Sequence, residues 1–207
     1  MQPSELFRVQ SVALGGIGPL DLVLQPGECV GLTGASGSGK SRLLRALADL
    51  DPHEGGMWLA GEAAAALSPW QWRRRVALLP ADSAWWHDTV GPHFGAAPDT
   101  AWLQRLGFEP TVMDWRIDRL SSGEKQRLAL LRVLDLQPRV LLLDEPTANL
   151  DRDNAERAEA LIREYLEANG AGAIWVGHDQ EQLNQVSTRC YRIATQGGIT
   201  EVRETGS

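Results

Sequence analysis

Three observations predict an α/β fold built on a mainly parallel sheet. Short apolar runs such as Val140 to Leu143 alternate with segments whose apolar residues recur at helical spacing, the pattern of buried strands covered by helices. A glycine cluster separates one such strand, Cys29 to Thr33, from an amphipathic helix beginning at Lys40. Residues 82–119 differ in texture, with four of the eight tryptophans (Trp85, Trp86, Trp102 and Trp115), several prolines and no strand signal. They read as a small, mostly helical lobe inserted into the α/β body.

In chain order, Leu6 to Val12 and Leu20 to Leu24 read as strands, punctuated by Gly15-Gly16 and by Gln25-Pro26-Gly27-Glu28. The helix from Lys40 to Leu50 places Leu43, Leu44, Leu47 and Leu50 on one face, and Pro52 stops it. Met57 to Ala60 returns to strand. Ser68 then serves as N-cap and Pro69 as first residue of a helix reaching about Arg75. Val76 to Pro80 is a further short strand. After the inserted lobe come a helix from Ser121 to about Leu136, the strand at Val140, and a polar helix from about Asp153 to Asn169. Ala173 to Gly177 is the next strand, Gln180 to Val186 a short helix, and Tyr191–Ala194 with Ile199–Val202 a hairpin around Gly197-Gly198.

Composition narrows the functional classes. With 20 basic and 27 acidic side chains, the 207-residue chain carries a formal charge of −7, which argues against a nucleic-acid partner held by bulk electrostatics. The two cysteines, Cys29 and Cys190, make no disulfide framework and fit a reducing compartment. The N-terminal residues lack the basic-then-apolar layout of a signal peptide, and the apolar runs are far too short to span a bilayer. A soluble intracellular domain is expected.

Three stretches carry chemistry. Gly34-Ala35-Ser36-Gly37-Ser38-Gly39-Lys40-Ser41 matches the phosphate-binding pattern G-x-x-x-x-G-K-[ST], with a buried strand before it and an amphipathic helix after it. Its glycines let backbone N–H groups converge on an anion, and the helix adds the positive end of its dipole. Lys40 is expected to reach the β- and γ-phosphates of a nucleoside triphosphate, and the Ser41 hydroxyl to ligate Mg2+. The apolar strand ending in Asp144-Glu145 would deliver a second Mg2+ ligand, Asp144, and a carboxylate, Glu145, able to polarise an attacking water. A plainer reading has Asp144 capping the turn at Pro146 and Glu145 merely solvated. Ser121 and Glu124 form a capping box opening the long helix, while Ser121-Ser122-Gly123 keeps that helix end bare enough to meet an anion.

Taken together, LSSGEKQR at 120–127, VLLLDEPTANLD at 140–151 and IWVGHD at 174–179 resemble the signature, Walker B with D-loop, and switch-histidine sequences of ATP-binding cassette (ABC) ATPases. The likeness runs from about Phe7 to Val202. It implies a P-loop core with a mainly parallel sheet, an N-terminal antiparallel β subdomain and a helical subdomain at about 82–120, the remainder (1–81 and 121–207) forming the body. It also implies ATP and Mg2+ as ligands, and Lys40, Glu145 and His178 as catalytic groups. Further implications are a head-to-tail homodimer in which Ser121, Ser122, Gly123 and Glu124 meet the partner's nucleotide and Asp151 crosses the interface, and a separate integral membrane permease docked on the cytoplasmic face. The short single cassette and the run SSGEKQRLALLRVLDLQPRVLLLDEPTANLD resemble the small bacterial Fet-type ATPases assigned to iron export.

Two departures qualify the likeness. Many relatives carry glutamine after the strand that ends here in Leu79-Pro80, whereas this chain has Ala81, whose methyl group cannot ligate a metal or orient water. The adenine-stacking aromatic expected near Val12 to Leu14 is also missing, Phe7 being the nearest. The paired Trp85 and Trp86 fit either the core of the small lobe or an interface with a membrane subunit. A soluble ABC switch protein without a permease, and a weakly hydrolytic ATP-sensing regulator, are the competing functions. Asp179 beside His178 reads as a helix cap.

Overall fold

The computed structural model describes residues 5–95 and 98–202. β1 (Phe7–Leu14) and β2 (Ile17–Leu24) form an antiparallel hairpin, each with apolar residues turned to a common face. β4 (Glu54–Leu59) pairs antiparallel with β1, and the two-residue β5 (Glu62–Ala63) completes a four-stranded sheet in the order β2-β1-β4-β5.

The second sheet has six strands in the order β10-β9-β3-β8-β7-β6. β3 (Cys29–Gly34), β6 (Val76–Leu79), β7 (Val140–Asp144), β8 (Gly172–Val176) and β9 (Arg189–Ile193) run parallel, and β10 (Ile199–Val202) closes the edge antiparallel. β7 explains why its sequence is continuously apolar. Leu141 and Leu143 enter one buried cluster with the helices α4 (Ser122–Asp135) and α5 (Arg152–Asn169). Val140 and Leu142 enter another with α1 (Lys40–Leu47) and the antiparallel sheet. Both faces are covered, as the strand composition predicts. The register pairs Asp144 with Val176 and Leu32 with Val176, so the chain leaves β3, β7 and β8 along one edge of the sheet.

α1 ends at Leu47 rather than near Leu50. Asp49 takes a left-handed φ of 56°, and the N–H groups of Asp49 and Leu50 donate to Ala46 O and Arg45 O at 2.9 Å each, a Schellman closure. Leu50 is therefore 39% exposed instead of completing the apolar face. α2 (Pro69–Arg75) starts where Ser68-Pro69 predicts, with the Ser68 N–H donating to Gln71 Oε1 at 3.0 Å.

Among the described residues, 82–120 contribute no strand to either sheet, but the stretch is less regular than a helical lobe. It holds the six-residue α3 (Thr100–Arg105) and short 3-10 turns at Gly91–His93, Pro110–Asp114 and Ile117–Arg119. The buried His93 ring organises its start. The backbone N–H groups of Trp86 and His87 donate to His93 Nε2 at 3.0 and 3.1 Å, which leaves Nδ1 to donate to Thr89 O at 3.0 Å. Burial accordingly pulls the His93 pKa below the usual imidazole value. The two tryptophans differ: Trp85 packs against the core, whereas Trp86 is 64% exposed under the Arg132 guanidinium. The remaining helix is α6 (Gln180–Val186), and no helix among the described residues is long and apolar enough to cross a membrane.

Candidate functional site

The loop between β3 and α1 forms the first part of the site. Gly34 leaves β3 with φ 152°, and a Cβ there would sit 2.6 Å from Ile193 O and 2.8 Å from Ser38 Oγ. Gly39 is the left-handed N-cap of α1 at φ 99°, with no side chain capping the helix and no acid in its first turn. The helix start therefore keeps its donors for a ligand. The buried Ser38 Oγ has no partner. Lys40 Nζ donates back across the loop to Gly34 O at 2.9 Å and Ala35 O at 3.2 Å, a cation held over the cradle by carbonyls alone. An orphaned buried hydroxyl, free helix donors and an ammonium held by carbonyls rather than by a carboxylate suit a polyphosphate anion.

The carboxylates meet this loop from the neighbouring strands. The Ser41 hydroxyl and the Ala81 backbone, two residues past β6, lie close enough to the Asp144 carboxylate to favour its charged form. Burial raises the Asp144 pKa and the adjacent Glu145 adds to the rise, against the opposing Ser41 hydroxyl and the Lys40 charge. A desolvated carboxylate beside a hydroxyl is a hard-oxygen pair that suits Mg2+ completed by phosphate and water. Glu145 follows in left-handed backbone conformation, φ 50°, held by its N–H bond to Val176 O at 3.1 Å. That conformation is uncommon outside glycine and turns the side chain out of the strand direction. His178, just past β8, brings Nε2 to 2.6 Å from Glu145 Oε1. Asp179 caps α6, accepting from the Glu181 and Gln182 N–H groups at 2.8 and 3.2 Å. Cap and histidine thus coexist.

A second group lies at the start of α4. Ser121 Oγ accepts from the Glu124 N–H at 3.2 Å while the Ser121 N–H donates to Glu124 Oε2 at 2.8 Å, the expected capping box. Ser122 is exposed, and a Cβ on Gly123 would lie 3.0 Å from Asn149 O. Asp151 caps α5 and takes two bonds from Asn154, which hold its carboxyl below the usual range. Ser121→Ala removes this cap and is expected to destabilise the protein by about 1 kcal/mol, read from a denaturant titration.

No hydrogen bond among the described residues joins Ser121–Glu124 to the 34–41 loop, so the structure forms two separate clusters. Sequence reasoning missed what ties the second one together. Arg127 on α4 donates to Leu106 O and, at 2.9 Å, to Asn154 Oδ1, linking the helix to the Asp151 cap. It also missed Gln182, which donates to Thr147 Oγ1 at 2.8 Å and Glu159 Oε1 at 2.7 Å and so braces the loop after Glu145. Neither contact leaves a periodic or spaced signal in the sequence.

Comparison with known proteins decides the family. The ABC transporter family model matches residues 17–148. The chain belongs to the ABC transporter family. It is 33% identical over 198 residues to the "probable iron export ATP-binding protein FetA" of Escherichia coli, covering 87% of this chain and 88% of that one. It is 38% identical to the "lipoprotein-releasing system ATP-binding protein LolD" of Pseudomonas syringae pv. tomato, covering 81% and 82%. It is 40% identical to the "aliphatic sulfonates import ATP-binding protein SsuB 2" of Paracoccus denitrificans, covering 82% and 68%. The fold also superposes on the structure of a bacterial Atm1-family ABC exporter with ATP bound, at a TM-score of 0.82 and 24% identity. That match covers 96% of this chain but 38% of the exporter chain. This ABC protein is an ATPase, the nucleotide-binding component of a transporter.

Proposed function

We propose that the chain hydrolyses Mg-ATP as a head-to-tail homodimer and thereby drives a separately encoded membrane permease, with metal export, iron in particular, as its work. The observation that carries the reading is the convergence of Ser41, Asp144, Glu145 and His178 on the 34–41 loop, with His178 Nε2 2.6 Å from Glu145 Oε1.

In this reading the N–H groups of Gly34 to Ser41 and the Lys40 ammonium hold the phosphates, and Ser41 and Asp144 hold Mg2+. When bound, Mg2+ neutralises charge on the β- and γ-phosphates. Glu145 takes a proton from the attacking water, its own left-handed backbone setting the side chain out of the strand direction. His178 holds that carboxylate through Nε2 until nucleotide binds, when the same N–H turns to the γ-phosphate, where charge develops. The bare Ser121-Ser122-Gly123 helix end and Asp151 face the nucleotide of the other subunit, each ATP being shared between two copies. Residues 82–120 act as the helical subdomain, with the exposed Trp86 anchoring the membrane partner on the cytoplasmic face.

Similarity to FetA supports metal export, while the import and lipoprotein-release relatives share the same cassette chemistry with other cargo. A weakly hydrolytic ATP sensor is the second reading, favoured by Ala81, which offers Asp144 a backbone contact and no side-chain ligand. Phosphate release by the purified protein separates them. Expected are Mg2+-dependent turnover, abolished by chelator, and a rate per chain that rises with protein concentration because closure needs two copies. Turnover independent of concentration would remove the homodimer; ATP binding with no turnover would favour the sensor.

A further inference from the structure

The loop and the carboxylates set a direction for the bound nucleotide. Glu145 and His178 leave β7 and β8 on one side of β3, so the γ-phosphate end lies on that side. The nucleoside must then leave on the other, toward β9. The β1–β2 hairpin closes that side, the Gly18 N–H at the start of β2 donating to Gly197 O at 2.9 Å beyond β9.

Among the described residues, the rings of the surrounding elements are packed away: Tyr191 of β9 is buried beside Arg189. Phe7 is the single aromatic of β1, β2 and α1, and it is fully buried against Trp72. What the region does present is Arg42, exposed in the first turn of α1 two residues after Lys40. Its Nη2 lies 2.6 Å, and its Cζ 3.5 Å, from where a Cβ on Gly15 would be. The guanidinium thus occupies the space over the side-chain-free Gly15-Gly16 turn. The neighbouring Gly16 has nothing within 4 Å of its own Cβ position, so the surface beside the guanidinium is open. Ile17, itself buried, packs its Cδ1 against Gly39 and ties the turn to the start of α1.

Arg42 is also the uncommitted arginine of these elements. Arg45 is bidentate with Asp51, and Arg8 lies over Trp58 at 4.3 Å. Arg42 makes no hydrogen bond or ion pair among the described residues; Asp51 feels it only through space. A guanidinium is planar, weakly hydrated and stacks on π-faces, which a lysine ammonium cannot do in the same geometry.

We propose that Arg42 is the nucleobase platform of this ATPase, its guanidinium stacking on the base of the bound triphosphate where the β1 segment carries no aromatic. The inference rests on the phosphate-binding reading of the 34–41 loop. It makes Arg42 a binding and specificity residue for the nucleoside half of ATP, separate from the phosphate cradle.

The test is calorimetric binding of Mg-ATP and of Mg-tripolyphosphate, which lacks a nucleoside, to the full chain and to Arg42→Ala, Arg42→Lys and Arg42→Trp. Arg42→Ala should weaken Mg-ATP about tenfold, the size of one cation–π or stacking contact, and leave tripolyphosphate within about twofold. Arg42→Lys, which keeps the charge without the plane, should not restore ATP affinity, and Arg42→Trp should. Unfolding midpoints should match wild type, since the side chain holds no internal bond. Equal losses for both ligands, or rescue by lysine, would make Arg42 a phosphate contact and overturn the proposal, as would unchanged ATP affinity in Arg42→Ala. Wild-type protein that binds neither ligand would instead sink the phosphate-binding reading on which the proposal stands.

Discussion

Glu145→Gln is expected to lower steady-state ATP turnover by about 10²- to 10⁴-fold, the range removed with a general base. Mg-ATP affinity should stay within about twofold, because none of the phosphate-holding groups changes. Glutamine keeps the length and shape of the side chain and can still meet His178 Nε2 across the present 2.6 Å contact. It should also keep the left-handed φ of 50°, since the Glu145 N–H bond to Val176 O belongs to the backbone. The substitution therefore removes proton acceptance and little else. Turnover is best followed by phosphate release under saturating Mg-ATP, with binding measured separately on the same preparation. If the variant hydrolyses ATP within fivefold of wild type, another group activates the water and Glu145 is only a partner for His178. If binding collapses with turnover, the residue shapes the cradle instead.

How far the sequence could be read depended on whether a feature is local in the chain. The 34–41 loop declares itself because the glycines, the lysine and the hydroxyl act through contiguous residues between a strand and a helix. β7 is equally plain, since Val140 to Leu143 must fill both faces of a covered sheet before Asp144 emerges at its edge. The Ser121–Glu124 box and the Ser68-Pro69 start are likewise short-range hydrogen-bond chemistry. Long-range features were opaque. The stop of α1 at Leu47 depends on Asp49 taking the left-handed conformation, which nothing in ADLDP requires over a helix running to Pro52. The order β3-β8-β7 sets His178 against Glu145, although 33 positions separate them in the numbering. Arg127 meets Asn154 and Gln182 meets Thr147 across comparable gaps, and an arginine or glutamine on a helix face gives no hint of its partner. The tryptophans of the 82–120 stretch show the same limit, because Trp85 and Trp86 are adjacent and alike in sequence yet only one is packed away.

Trp72→Ala is the substitution expected to cost the most stability, about 3–5 kcal/mol, the range found when a buried large aromatic is truncated. Trp72 is 1% exposed, and its ring lies 6.0 Å from that of Phe7, so the indole joins α2 to β1 of the antiparallel sheet. Its Nε1–H donates to Leu47 O at 3.0 Å, one of the last carbonyls of α1. Alanine would leave a cavity in the cluster shared by α1 and the antiparallel sheet, and it would also strip a partner from a buried helix-end carbonyl. The two losses fall on one segment, and that segment carries Lys40 and Ser41 at its other end. A guanidinium chloride titration should move the midpoint sharply downward with an unchanged slope, which assigns the effect to the folded state. Trp70→Ala is the control: on the same helix but 63% exposed, it should change stability by no more than about 0.5 kcal/mol. Because the damaged end of α1 is about 10 Å along the helix from the phosphate loop, the folded fraction of Trp72→Ala should still bind Mg-ATP, and saturating nucleotide should recover part of the lost midpoint by mass action. Equal midpoints for the two tryptophan variants would mean that Trp72 does not join α1 to the antiparallel sheet, and the coupling of the two layers would then rest on Phe7 and the surrounding leucines.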